Sequence, residues 1–521
     1  MSRPVAALTV ATFLAMGAGF LREVTIAYHF GTSASADALA LALFYADGIA
    51  AVVIVGLAGY TLVPVVTGVI AAEGHEAAYR LLESLLLWTA LLSLPIVVAA
   101  WLAPARLAEL VAPEFAAEQR AALIALVRTV VPACALLLMT GAMAGVLQAG
   151  AAYNAPVFGR AALSLVTAGA LVGGTRALGV RAGGIGLLCG AAVQLVWLGE
   201  ALRRSGWRPR PPRLNHPALA RAVAAGLPTL LALLLTNILM GGAQRFIASG
   251  LPEGGFAALN YAQRAVNLVS GFTMAIATVA LTELSVEFHA TGIGARMQRI
   301  IRDGLDTGLF IVIPLSGLLV LLSEPLIALL FQRGQYPPES LDLTARCLRW
   351  LAVSIAPGLV VAILHRACPA CGRPWRATAV SLLWVAVTVL TTVWLLPVMG
   401  AVALAAGFTL GMTAAAVGSV IALRDLLAAT VLQSVATGSL RALGLTAVAL
   451  LPAAGLAGML QPNDGLWTAG RGLLVSAVAT IAFVTLFVSG CLLVGEPRWR
   501  RLTDGVRRMI RERRGAAELG A

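Results

Sequence analysis

The sequence predicts an all-α polytopic membrane protein with about fourteen transmembrane helices: two six-helix lobes around a central cavity, plus two extra C-terminal helices. Three observations carry that expectation. The chain of 521 residues is 60% hydrophobic and only 12% charged, and its mean hydropathy is +0.90, far from an ordinary soluble domain. Apolar runs long enough to cross about 30 Å of hydrocarbon recur from end to end. Arginine, which supplies every one of the 37 Lys-or-Arg positions, collects at alternate junctions between those runs.

In order, the runs fall near 5–29, 36–63, 81–103, 121–149, 153–174, 180–202, 219–249, 256–284, 304–324, 343–365, 376–397, 399–423, 440–460 and 471–494. The first follows Arg3 and is a spanning helix, since it outruns a signal core and no small-residue cleavage site closes it. Arg80, the stretch RRSGWRPRPPR (203–213), ARMQRIIR (295–302), RACPACGRPWR (366–376) and Arg424 mark the even junctions. The odd junctions, such as GTSASAD (31–37), ARLAELVAPEFAAEQ (105–119) and LPEGG (251–255), are poorer in arginine or carry acids. Basic loops stay inside, so both termini are expected in the cytoplasm. The Pro/Arg stretch divides the chain into an N-lobe (1–202), an extended linker (203–216) and a C-lobe (217–430), followed by two helices (431–495) and a basic tail (496–521). REVTIA (22–27) and QRFIAS (244–249) close corresponding helices of the two lobes, a faint repeat.

The net charge of +13 thus reads as topology, and no nucleic-acid partner is expected. The tail EPRWRRLTDGVRRMIRERR (496–514) suits a basic amphipathic helix on the anionic inner leaflet, making membrane lipids a partner. Phosphate-binding glycine loops, H-E-x-x-H and a nucleophile elbow are missing. The six cysteines mostly lie in apolar runs, where a thiol behaves as a small hydrophobe. Cys368 and Cys371 have the spacing of half a metal site, without a second pair to complete it. No catalytic residue, metal or cofactor is therefore expected.

Ionisable residues inside spans are costly and mark functional candidates. They are Arg22, Glu23, Asp47, Arg128, Arg160, Arg245 and Arg264, with Asp37 at the start of its span. Arg22 and Arg245 lie close enough to span ends to snorkel, and Arg128 and Arg160 can act as interhelical glue. Arg264 sits in the body of a span beside Gln263, with Asn267 and Tyr261 three residues away on either side. That spacing gives a polar stripe, and a guanidinium there suits bidentate capture of phosphate or carboxylate. Adjacent residues point about 100° apart on a helix, so Arg22 and Glu23 are expected to diverge. Glu23, pairing with Arg245, and Asp47 are gate candidates, and Arg245 is also a substrate-binding candidate beside Gln263, Arg264 and Asn267 of the stripe.

The segment GFLREVTIAYHFGTSASADALALA (19–42) resembles the opening of the MurJ/MviN lipid II flippases, within the multidrug/oligosaccharidyl-lipid/polysaccharide exporter superfamily. VAPEF (111–115), GVLQAGAAYNAPVF (145–158), LNYAQRAVNLVSG (259–271), LLFQRGQY (329–336) and ACGRPWRATAVSL (370–382) match the same family in order. The resemblance implies that Arg22, Asp37 and Arg264 line a cationic cavity receiving the pyrophosphate of a lipid-linked sugar, with Glu23 where an aspartate is usual. Arginines expected from the family fall instead at Met16, Ala50 and Ala51, and the eleventh span lacks the acid or asparagine of a sodium site. The implied function is translocation of lipid II across the bacterial inner membrane by alternating access. A monomer driven by the membrane potential or an ion gradient, with no cofactor, is expected. Alternatives are a flippase for another polyprenyl-pyrophosphate saccharide, a drug or cation antiporter of the superfamily, a membrane enzyme using the same carrier, or a transport-dead scaffold. A reporter fused after Arg213 is expected to be cytoplasmic; finding it outside would overturn the topology.

Overall fold

The computed structural model describes residues 3–51, 62–150, 152–211, 251–267, 269–270, 295–370, 374–425, 427–462, 467–500 and 503. Among them there is no β-strand. The chain forms two compact units, Met1–Arg264 with Arg333–Ser340, and Ala265–Gln332 with Leu341–Ala521.

The first unit contains α1 (Arg3–Phe30), α2 (Ala34–Ala51), α3 (Val63–Glu73), α4 (His75–Leu102), α5 (Pro104–Val111), α6 (Ala117–Ala149), α7 (Asn154–Leu178) and α8 (Arg181–Arg204). It also holds most of α9 (255–267). In hydrocarbon there is little hydrophobic drive between helices, so close backbone approach holds them together. Helix α8 shows the device. A Cβ on Gly186 would lie 2.7 Å from the Ala170 Cβ, and one on Gly190 would lie 2.7 Å from the Leu163 carbonyl oxygen of α7. α8 also packs on α6, α6 on α2 and α4, and α7 on α1. Leu92, Ile96 and Trp101 of α4 stay exposed.

The expected extended linker is docked where it begins. Trp207 enters a cluster with Val66, Leu81, Leu82, Met143 and Leu198. Its indole N–H donates to Glu83 Oε1 (3.3 Å), which also accepts the Arg210 backbone N–H (3.0 Å), and the Tyr79 hydroxyl donates to the Ser205 carbonyl (2.5 Å).

The second unit contains α10 (Ala295–Leu321), α11 (Ser323–Phe331), α12 (Pro338–Val353, beyond its first turn), α13 (Ile355–Ala370), α14 (Pro374–Met399), α15 (Val402–Ala422), α16 (Ala429–Met459) and α17 (Ala469–Val494). α14 and α15 repeat the small-residue device, Gly407 and Gly411 lying against Thr392 and Thr388. α17 ends on left-handed Gly495 (φ 64°, ψ 38°), where the Glu496 N–H bonds the Cys491 carbonyl at 2.9 Å, a Schellman closure. Beyond it Arg498 reaches Asp306 of α10 (2.9 Å) and Glu496 (3.0 Å).

Among the described residues ten helices are long and apolar enough to cross a membrane, with Ala34–Ala46 a shorter apolar helix. Of the expected spans, 219–249 lies outside the described residues and 256–284 is described only as far as residue 270. The span expected at 343–365 is two helices meeting at Ser354. Pro357 is the cause, since it has no N–H for the Val353 carbonyl and its ring crowds that group. The Ser354 hydroxyl donates to Leu351 O (2.6 Å) at the break. α5 folds within a stretch expected to be loop, and α3 continues past the expected end of the second span at residue 63.

Gly190→Val should lower the melting temperature of the purified protein, because overpacking a tight contact typically costs about 1–3 kcal/mol. Gly199→Val, on the same helix where a Cβ meets nothing within 4 Å, should leave it unchanged. Equal melting for both variants would show that close approach of α7 and α8 is not what stabilises the pair.

Candidate functional site

The charged pair in α1 is buried. Arg22 is 2% exposed and Glu23 not at all, where bare charges would be unaffordable. They meet each other: Arg22 Nη2 lies 3.1 Å from Glu23 Oε1. Their Cβ atoms diverge as helix geometry demands, but long side chains curl back, so the expectation that they face different places is corrected. The same Oε1 lies 3.3 Å from Arg264 Nε of α9, and the Asn260 amide donates to Oε2 at 3.5 Å. Asn260 and Arg264 are four apart and so share a face. Among the described residues one carboxylate therefore meets two guanidiniums. Arg22 is enclosed, whereas Arg264 keeps 25% of its side chain exposed.

Asp37 has a different position. It opens α2, is 1% exposed, and accepts from the backbone N–H of Gly254 (2.8 Å) and Ala257 (2.7 Å) and from Gln119 Nε2 (2.7 Å). It thus caps the N-terminus of α9 across the fold, as a carboxylate at the positive end of a helix dipole does. α9 returns the bond, for Glu253 Oε1 accepts the Ala34 N–H at the start of α2 (2.6 Å). Gln119 Oε1 accepts the Ala116 N–H (3.1 Å) at the start of α6. Three helix N-termini are tied at one junction.

The segment 333–340 completes it. Gln335 N–H donates to Tyr28 O (3.0 Å) and the Tyr261 hydroxyl to Gly31 O (2.7 Å), with the Tyr261 and Tyr336 rings 6.2 Å apart. Gly31 (φ 55°) and Gly334 (φ 65°) lie against the carbonyls of Gln335 and Tyr28 so closely that any Cβ would collide.

Of the other expected site residues, Gln263 is half-buried and Asn267 exposed, so along the stripe exposure rises from enclosed Tyr261 through Arg264 to Asn267. Arg128 and Arg160 are exposed. Arg245, the Asp47 side chain and Cys371 lie outside the described residues, and Cys368 is buried. Asn260 and Gln119 were missed. Asn260 was legible as the residue one turn before Arg264; nothing local marks Gln119, whose partner is far away in sequence.

A profile of the family described as lipid II flippase MurJ matches residues 26–474. A probable lipid II flippase MurJ of Rhizobium meliloti (strain 1021) is 30% identical over 343 residues, covering 62% of this chain and 62% of that relative's length. The lipid II flippase MurJ of Burkholderia cenocepacia is 25% identical over 376 residues, covering 69% and 72%. A lipid II flippase MurJ solved in an inward closed conformation aligns with TM-score 0.78 at 15% identity, covering 94% of this chain and 99% of that one. An inward-facing multidrug resistance MATE family transporter aligns with TM-score 0.67 at 14% identity, covering 81% and 99%. At these identities the structural likeness is one of fold.

Asp37→Asn replaces an acceptor-only group by one with a donor edge toward backbone N–H groups. Hydrogen bonds to a charged group contribute about 1.5–3 kcal/mol each, so the variant should melt clearly below wild type in detergent. An unchanged melting curve would show that the cap does not hold the junction.

Proposed function

The chain belongs to the lipid II flippase MurJ family, and we propose that it carries the undecaprenyl-pyrophosphate-linked peptidoglycan precursor, lipid II, from the inner to the outer leaflet of the bacterial cytoplasmic membrane. The observation that carries this reading is Arg264, partly exposed in the body of the fold and held from behind by fully buried Glu23. A guanidinium is always charged and presents fixed donors to a phosphate. Holding its Nε on a carboxylate orients it before substrate arrives, which lowers the ordering cost of binding. Glu23 does not cancel the site, because Arg22 draws on the same oxygen.

The substrate headgroup enters from the cytoplasmic side, its pyrophosphate binds at Arg264 with Gln263 and Asn267 beside it, and the polyprenyl chain stays in lipid. Two lobes, 1–202 and 217–430, then rock about the linker 203–216 to expose the site on the other side. Both termini face the cytoplasm and the protein works as a monomer. An anion moving outward runs with an inside-negative potential, at about 2.3 kcal/mol per charge per 100 mV, so the membrane potential or an ion gradient drives the step without a cofactor. Arg245, Glu23 and Asp47 belong to the gating surfaces.

Met16, Ala50 and Ala51, standing where the family carries arginine, favour one second reading: a related polyprenyl-pyrophosphate saccharide that a less basic site accommodates. A drug or cation antiporter needs an available carboxylate, and Glu23 is committed to two arginines.

Arg264→Ala should abolish rescue of a flippase-depleted strain while the protein still reaches the membrane, and Arg264→Lys should rescue partly, keeping charge without the fork. Full rescue by the alanine variant would remove Arg264 from the site.

A further inference from the structure

A second basic feature lies in the second unit. Where α14 begins and α15 ends, an open groove of about 620 Å³ runs between the two helices. Its walls are apolar, formed by Val380 and Leu383 of α14 and by Gly418 and Ile421 of α15, and its mouth carries Arg376, Arg424 and Asp425. Arg376 is fixed, its Nη1 donating to the Ala422 carbonyl (2.5 Å) and to Asp425 Oδ1 (2.6 Å). It nonetheless stays 38% exposed, and Arg424 is exposed beside it. Two arginines against one aspartate leave the mouth with a net positive charge.

The two ends differ in a way that selects an occupant. From Arg376 to Leu383 the rise along α14 is about 10 Å, so a mouth at headgroup level puts the apolar floor within the hydrocarbon. Trp375, exposed next to Arg376, sits where interfacial aromatics collect. The floor opens outward, since Ile421 and Leu383 are exposed and Leu390 and Trp394 continue the same apolar surface. A Cβ on Gly418 would lie 2.8 Å from Leu383 Cδ2, so this glycine lets Leu383 lie close against α15 at the floor.

We propose that this groove binds one anionic phospholipid of the inner leaflet, its phosphodiester against Arg376 and Arg424 and one acyl chain along Val380, Leu383, Gly418 and Ile421. The inside location rests on the orientation proposed above. Charge complementarity sets the preference for an anionic over a zwitterionic headgroup, and Asp425 keeps Arg376 aimed at the mouth rather than free to swing into solvent.

The test uses the purified, delipidated full chain in detergent, titrated with dioleoyl phosphatidylglycerol or dioleoyl phosphatidylethanolamine and read by native mass spectrometry. Wild type should hold one phosphatidylglycerol in preference to phosphatidylethanolamine. Arg424→Gln should weaken phosphatidylglycerol about fivefold, the worth of one surface arginine, with phosphatidylethanolamine unchanged and Arg424→Lys close to wild type. Gly418→Leu, which pushes Leu383 out into the floor and leaves the arginines, should weaken both lipids. Equal retention of the two lipids by wild type, or undiminished phosphatidylglycerol binding by Arg424→Gln, would overturn the proposal. So would full displacement by inorganic phosphate, which would mean an anion site without a chain, or preferential retention of undecaprenyl phosphate, which would assign the groove to the transported carrier. The readout contains no flipping step, so its failure leaves the flippase reading standing, and loss of that reading leaves this one intact.

Discussion

A carboxylate with no exposed surface, Glu23, is shared by two guanidiniums, and the arrangement around it follows from what hydrocarbon forbids. Neither charge type can stand alone at that depth. Burying Arg22 beside Glu23 forms an ion pair within one helix, and adding Arg264 brings α9 to α1. Asn260 takes the second oxygen, so the acid is hydrogen-bonded on both sides. Among the described residues Glu23 is thus the acid that both guanidiniums share, and the proposed phosphate site is built on Arg264, the more exposed of the two.

The same logic operates at the junction above it, with backbone groups in place of side chains. The free N–H groups at a helix start need acceptors, and where water is scarce they need them from protein. Asp37 supplies α9 and Glu253 supplies α2, so neither of these two helices is capped without the other in place, while Gln119 caps its own helix α6 and ties it in through Asp37. Gly31 and Gly334 allow the neighbouring backbones to come within contact of Tyr28 and Gln335. Stretches of sequence that resemble one family in separate places, FGTSASAD, LNYAQR and RGQY, are the stretches that build this one junction.

Hydropathy and arginine placement made most spans legible, because span length and loop charge are local properties fixed by the bilayer. The break at Ser354 was legible in principle from Pro357 but was hidden inside an unbroken apolar run. Periodicity brought Arg264 and Asn267 together, and the same rule reaches Asn260. What one-dimensional reasoning could not supply was the role of Asp37: its position suggested a cavity acid, while its three bonds come from residues far along the chain. Arg22 and Glu23 show the limit of helical-wheel argument, which fixes where Cβ atoms point but not where long side chains end.

The central claim is that Glu23 holds Arg264 in place, and a double-mutant cycle measures it directly. Glu23→Gln, Arg264→Gln and the double variant would be compared with wild type by thermal unfolding in the same detergent. Residues in contact show coupling of about 0.5–3 kcal/mol, whereas independent ones add within about 0.5 kcal/mol. The account predicts coupling above 1 kcal/mol, the double variant losing less than the sum of the singles, as buried partners do. Simple additivity would contradict it, and would mean that Arg264 is positioned by something other than this carboxylate.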